Sequence, residues 1–283
     1  MDRQLGLRVG TAFFGLLVFV GVAVWGFFPF LILVWFLAVF SALELLLVLQ
    51  RGGKRVSWIL GFSGVVGVAA PFFLIPFARR VLGAVGALFF LAGLLYELAH
   101  CWIYREMKTA ERIAYGLLCG VYVSLFGGVT VLRAGIGFAH GPLPPLDESP
   151  GLALLLIVCA CVWMADAAAY FAGFQIGRTP LAPHISPGKT VEGAVVAFAT
   201  SLVVGMGLGA VLFKNLAVGI TVGILSGIFG WAGDLLESAM KRSLGIKDFS
   251  ALLPGHGGIL DRFDSLLLAA PVNALVLWLW KPL

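Results

Sequence analysis

The sequence predicts an all-α, polytopic integral membrane protein of about nine transmembrane helices, with the N-terminus cytoplasmic and the C-terminus outside. Three observations predict it. Apolar residues make up 61% of the 283 positions and charged residues only 12%, a balance that no water-soluble domain of this size shows. The apolar residues fall in runs of about 20, the length at which a helix crosses a bilayer with its backbone groups internally paired. Lys and Arg are also shared unevenly between alternate loops, as the positive-inside rule describes.

The runs place spans near 8–26, 28–49, 57–77, 82–104, 113–137, 151–173, 190–213, 216–237 and 263–280. The first run has no small-residue cleavage site leading into a polar chain, so it reads as a retained span. Only Gly26 and a few residues up to Pro29 separate it from the second, which makes a tight hairpin. With a cytoplasmic N-terminus, 14 of the 19 basic residues lie inside: Arg3, Arg8, Arg51, Lys54, Arg55, Arg105, Lys108, Arg112, Arg178, Lys189, Lys241, Arg242, Lys247 and Arg262. Five lie outside: Arg79, Arg80, Arg133, Lys214 and Lys281. No basic cluster sits on a soluble face, which excludes nucleic acid as a partner. Cys101, Cys119, Cys159 and Cys161 lie in apolar runs without zinc spacing and read as small buried hydrophobes.

The chain divides into a transmembrane scaffold over 1–137, an extracytoplasmic connector over 138–150 and a catalytic region over 151–283 with cytoplasmic loops at 174–190 and 238–262. The connector has prolines and two acids but no basic residue. The scaffold is poor in chemistry. Its exceptions are Glu44 and Glu97 inside apolar runs, where a carboxylate needs a reason. Glu44 is expected either to snorkel at the cytoplasmic end of its span or to pair with Arg51, and His100, at i+3, is a candidate partner of Glu97.

The region 151–283 is different. Its first span carries Asp166 among small residues. The loop that follows contains Gly188-Lys189-Thr190, but Pro183 stands where a Walker A motif needs glycine, and a span precedes it in place of a strand. That motif is rejected. The loop still offers Arg178, Ser186, Lys189 and Thr190 to phosphates, and Pro183 and Pro187 favour a fixed extended shape. Gly219, Gly223 and Gly227, four residues apart, form a face for close helix contact.

The densest charge lies over 238–264: Lys241, Arg242, Lys247, Arg262, Asp248, Asp261, Asp264 and His256, with Gly255, Gly257 and Gly258 around the histidine. Asp234, Glu237, Ser238 and Lys241 share one helical face, and Asp261, Asp264 and Ser265 repeat the spacing at the start of the last span. Carboxylates converging near cations suit a polyanion and a divalent metal together, and a nucleoside triphosphate with Mg²⁺ fits both halves.

These residues carry a resemblance. Ser238, Lys241-Arg242, Lys247-Asp248, Pro254, His256-Gly257-Gly258 and Asp261-Arg262-Phe263-Asp264 fill the signature of the phosphatidate cytidylyltransferases (CDP-diacylglycerol synthases) without a gap. Asp166, Ala169-Tyr170-Phe171, Ile185-Ser186-Pro187, Lys189-Thr190, Glu192-Gly193 and Gly233-Asp234-Leu235 also resemble that family, over about residues 163–268. Gln175 and Val191 depart from its pattern at positions without obvious chemistry.

The resemblance implies that CTP and phosphatidate condense to CDP-diacylglycerol and pyrophosphate at a cytoplasmic (inner) membrane. It implies Mg²⁺ on Asp234, Asp261 and Asp264, with a second cation, K⁺ or another Mg²⁺, in the same centre. Lys241, Asp261 and His256 are its catalytic group, with His256 moving a proton or orienting a phosphate oxygen. Ser186, Lys189, Thr190, Ser238, Arg242, Lys247 and Arg262 would hold the substrates. A homodimer is left open. A transporter would place its charges near the midplane in two related halves, which this chain lacks. A CTP-using polyprenol kinase would lack the His-Gly-Gly-x-x-Asp-Arg-x-Asp element.

Overall fold

A computed structural model describes residues 2–66, 68–69, 76–104, 108–135, 150–252 and 257–280. His256 and all of the predicted connector except Pro150 lie outside these residues. The chain forms two compact units, Met1–Thr130 with Leu244–Arg262, and Val131–Ser243 with Phe263–Leu283. The first unit therefore includes residues 244–262, which the linear division above groups with the C-terminal region.

In the first unit, α1 (Asp2–Trp25) and α2 (Phe27–Arg51) meet at Gly26. Pro29 falls in the first turn of α2, where a missing N–H breaks no helical bond. Phe27, Phe30, Val34, Ala38 and Leu45 form the buried stripe of α2, and Phe30 meets Phe19 of α1 edge to face at 5.2 Å. The run expected to span over 57–77 does not begin as a long helix. It opens with α3 (Trp58–Ser63), capped by Ser57, whose Oγ accepts from Leu60 N at 3.5 Å, and a 3₁₀ turn follows. The reason is backbone contact. A Cβ on Gly64 would overlap the carbonyl of Gly120, and one on Gly116 would meet Ser57. The short segment is thus seated against α5 (Thr109–Ser124).

Two further helices complete this part of the chain, α4 (Pro76–Tyr104) and α6 (Phe126–Ala134), the latter continuing α5 past Leu125. Glu97 of α4 pairs with Arg112 of α5, where Arg112 Nε donates to Glu97 Oε2 at 2.5 Å and the second guanidinium nitrogen donates to Oε1 at 3.3 Å. The candidate partner of Glu97 was His100. Arg112 is a partner that helical spacing does not predict, and its planar guanidinium reaches both carboxylate oxygens of a fully buried acid.

In the second unit, α7 (Gly151–Ile176), α8 (Val191–Leu212), α9 (Leu216–Ser243) and α10 (Leu260–Trp280, from Phe263 onward) are the long helices. Gly205 and Gly209 of α8 face Gly219 and Gly223 of α9 so closely that a Cβ at any of the four would strike the opposite backbone. Ser201 Oγ donates to Gly223 O at 2.9 Å along the same seam. The glycine face read in the sequence is this seam. In α10, Asn273 Nδ2 donates to Ser226 Oγ of α9 at 3.1 Å and to Ala269 O at 2.9 Å.

The loop between α7 and α8 forms the described β structure, an antiparallel hairpin of β1 (Pro180–Ala182) and β2 (Ser186–Thr190). Pro183 lies at its turn. Glu192, in the first turn of α8, accepts from the backbone N–H groups of Arg178 and Thr179 and from Thr179 Oγ1, fixing how the hairpin leaves α7.

Among the described residues, six helical stretches are long and apolar enough to cross a membrane: Phe27–Arg51, Thr109–Ala134, Gly151–Ile176, Val191–Leu212, Leu216–Ser243 and Leu260–Trp280. Phe13–Trp25 and Gly86–Cys101 are shorter apolar helices. The chain is an all-α, multi-pass membrane protein with one small hairpin added.

Candidate active site

Glycines position the acids of the second unit. Gly230 and Gly233 lie on one face of α9. A Cβ on Gly233 would stand 2.5 Å from the carbonyl of Asp264, and one on Gly230 would contact Val162 of α7 and Ser265 of α10. Three helices therefore approach at one level, each bearing an aspartate there: Asp166 on α7, Asp234 on α9 and Asp264 on α10. Asp166 hydrogen-bonds to Ser265 and lies within electrostatic reach of Asp234, Asp264 and Lys189. Asp264 feels Asp234, Lys241 and Lys189.

The cations come from two elements. Lys189, near the end of β2, brings Nζ to 2.5 Å from Asp234 Oδ2. The ion pair engages one of the three N–H groups of this buried ammonium, and the others remain for a further acceptor. Lys241 Nζ donates to Glu237 Oε1 one turn earlier on α9, at 3.0 Å, with the glutamate fully buried. Ser238 Oγ donates to Asp234 Oδ1 at 3.4 Å. Arg242 Nε donates to Ile185 O at 3.1 Å, tying the end of α9 to the hairpin.

The second unit thus brings together Lys189, Asp234, Ser238, Lys241 and Asp264 of the predicted residues. Ser186 and Thr190 lie on β2 beside them. Thr190 Oγ1 caps α8 by accepting from Gly193 N at 3.1 Å, which leaves its hydroxyl proton to donate elsewhere. Among the described residues, no three His, Cys, Asp or Glu side chains are already drawn to one point at metal-ligand geometry.

The remaining signature residues belong to the first unit. Asp261 is buried, and its Oδ2 accepts from Phe249 N at 3.0 Å and from Gly258 N at 2.8 Å. Gly257 adopts φ +81°, which a side chain would strain, and a Cβ there would stand 3.0 Å from that same oxygen. Lys247, Asp248 and Arg262 are exposed.

Two residues carry roles that local sequence logic does not assign. Asp166 joins the cluster through tertiary contact. Glu44 was expected to snorkel or to pair with Arg51. It accepts instead from Ser250 Oγ at 2.6 Å and from Ile259 N and Leu260 N, each at 3.0 Å. The physical reason is that the first N–H groups of α10 have no helical acceptor, and a buried carboxylate supplies one.

A multi-pass helical fold with carboxylates and lysines gathered at the ends of apolar helices defines a membrane enzyme that handles phosphate groups. The sequence model of the cytidylyltransferase family matches residues 6–280, and the chain belongs to that family. It is 30% identical over 288 residues to a phosphatidate cytidylyltransferase of Bacillus subtilis (strain 168), covering 97% of this chain and 98% of that one. It is 32% identical over 262 residues to one of Staphylococcus saprophyticus (85% and 96%). A third, from Staphylococcus aureus (strain COL), is 39% identical over 151 residues (53% and 57%).

Proposed function

We propose that this chain condenses CTP with phosphatidate, giving CDP-diacylglycerol and pyrophosphate for phospholipid biosynthesis. One observation carries the reading: Lys189, held against Asp234 beside Asp264 and Lys241, is a buried ammonium with donors to offer a phosphate. Family membership and the full-length relatives support it.

In the reaction, a phosphatidate oxygen attacks the α-phosphorus of CTP. The new P–O bond forms as the bond to the β-phosphate oxygen breaks, and pyrophosphate leaves with that electron pair. Such transfers depend on positioning and on charge neutralisation. Lys189 and Lys241 are assigned to the phosphate oxygens, since each is a compact point charge tethered at an acid. Arg242 ties the end of α9 to the hairpin, and Ser238 and Arg242 keep their assignment to the substrates. Lys247 and Arg262, both exposed, are assigned to the incoming anions. His256 keeps its assignment in proton movement or phosphate orientation.

Mg²⁺ is tested against the donor set. Asp166, Asp234 and Asp264 are hard oxygen donors that repel one another, and the Lys189 ammonium already stands where a cation is favoured. The residues fit. Asp234 and Asp264 would hold the ion, which would withdraw charge from the triphosphate when bound. A second cation, K⁺ or another Mg²⁺, is proposed for the same cluster, with Asp166 the added donor. Asp261 holds its loop through Oδ2 and keeps, as a proposal, the metal-ligand and catalytic assignment that the family resemblance gives it.

The proposal extends to topology: about nine spans, a cytoplasmic N-terminus, and a site facing the cytoplasm of the inner membrane, supported by the 14 basic residues that fall on that side. Purified protein should release pyrophosphate from CTP only when phosphatidate is added. Release without phosphatidate, or none with it, refutes the reaction.

A further inference from the structure

We propose that Glu44 is a positioning residue for this reaction: it holds the start of α10, and with it Asp261 and Arg262, in place from α2. The inference rests on the proposed reaction and on hydrogen bonds that lie wholly within the first unit.

Glu44 is 6% exposed. All three donors that reach it, Ser250 Oγ, Ile259 N and Leu260 N, belong to the signature segment, and both of its oxygens are engaged. Asp261 takes two more amides of the same segment, Phe249 N and Gly258 N. The two carboxylates thus divide four backbone donors between them, one from within the segment and one from a distant helix. Gly258 shows how close the approach is, since a Cβ there would lie 2.7 and 2.8 Å from the two Glu44 oxygens. Gly258 has no side chain where it passes the acid.

A carboxylate that only stabilised the fold would need no particular clients. Among the described residues, this one engages the segment whose next residues are Asp261 and Arg262. Loss of its charge would leave α10's first amides without a strong acceptor and let the first turn shift. That would misplace Asp261 and Arg262 while leaving the elements of the second unit in place.

The test compares wild type, Glu44→Gln, Ser250→Ala and Gly258→Ala as full-length protein in mixed micelles. Pyrophosphate release, melting temperature and amide hydrogen exchange are measured. Gln keeps the size of Glu but turns an NH₂ group toward one of the amides. The expected result is a kcat lowered roughly 10- to 100-fold, the size of effect seen when a group that orients a reactive one is lost. KM for CTP should stay within about twofold, the pattern of an interaction needed only in the transition state. Exchange should quicken at residues 258–261. Gly258→Ala crowds the same carboxylate, so combining it with Glu44→Gln should do no more harm than the worse single change. If Glu44→Gln does not fold, Ser250→Ala decides, with an expected loss of about fivefold in kcat at an unchanged melting temperature, the worth of one hydrogen bond.

Wild-type kcat in either folded variant, or a loss confined to melting temperature, overturns the assignment. Absence of turnover by the wild type would refute the reaction instead. Exchange at residues 258–261 would then still decide whether Glu44 holds the helix start, and unchanged protection in Glu44→Gln would refute that.

Discussion

Lys189 Nζ stands 2.5 Å from Asp234 Oδ2, so a cation from the β-hairpin meets an acid of α9. This contact sets the first prediction. Asp234→Asn keeps the shape and one oxygen but loses the anion a hard cation prefers. Turnover should fall on the order of 100-fold or more, while the protein still inserts and purifies. Lys189→Met should cost about 1.5–3 kcal/mol of kcat/KM for CTP, the range for a hydrogen bond to a charged group. If both variants lose only melting temperature, the acids and lysines merely neutralise one another.

Chelating divalent ions should abolish pyrophosphate release, and Mg²⁺ should restore it. The motive is the acid surplus of Asp166, Asp234 and Asp264 around one lysine contact. Full activity in excess chelator refutes the metal assignment.

Gly233→Ala places a methyl group 2.5 Å from the carbonyl of Asp264. Backbone cannot rotate away as a side chain can. The variant should lose about 1–3 kcal/mol of stability by overpacking, and turnover should fall further than stability explains, since Asp264 moves with α10. Wild-type activity would show that the helices separate without disturbing the acid.

Lys247→Ala and Asp261→Asn should part company. Lys247 is exposed, and its loss should raise the CTP requirement while leaving measurable turnover, at a cost on the order of a few kcal/mol at most. Asp261 is buried and holds two amides, so its neutralisation should remove nearly all activity. Comparable mild losses in both would refute the distinction.

Single cysteines near Lys54, Lys108 and Ser250 should label only from the cytoplasmic side, and those near Leu146 only from outside. Cys119, Cys159 and Cys161 are buried, which keeps the background low. Outside labelling at Ser250 would invert the topology.

What the sequence discloses here follows the range of each interaction. Helix faces are local, so Asp234, Ser238 and Lys241 could be placed together from spacing alone, and the glycines of α9 could be read as a seam. Membership of the family was legible because its signature lies in one short stretch. Long-range partnership was not. Arg112 lies 15 residues from Glu97, and no helical periodicity links them. The clients of Glu44 lie more than 200 residues away. The only trace of them in the sequence is an acid in an apolar run. The brief α3 escaped for another reason. Its residues are as apolar as a span, and the close approach of Gly64 to Gly120 that accompanies its end is a tertiary contact.

The separation between Glu44 and Ser250, 206 residues, also has a consequence for biogenesis. A ribosome adding roughly 5–20 residues per second needs about 10–40 s to travel that distance. Throughout that interval the nascent chain carries an acid on α2 whose clients do not yet exist. The first unit closes only when nearly the whole polypeptide has been translated. A chain truncated before residue 250 therefore lacks the groups that answer this buried carboxylate.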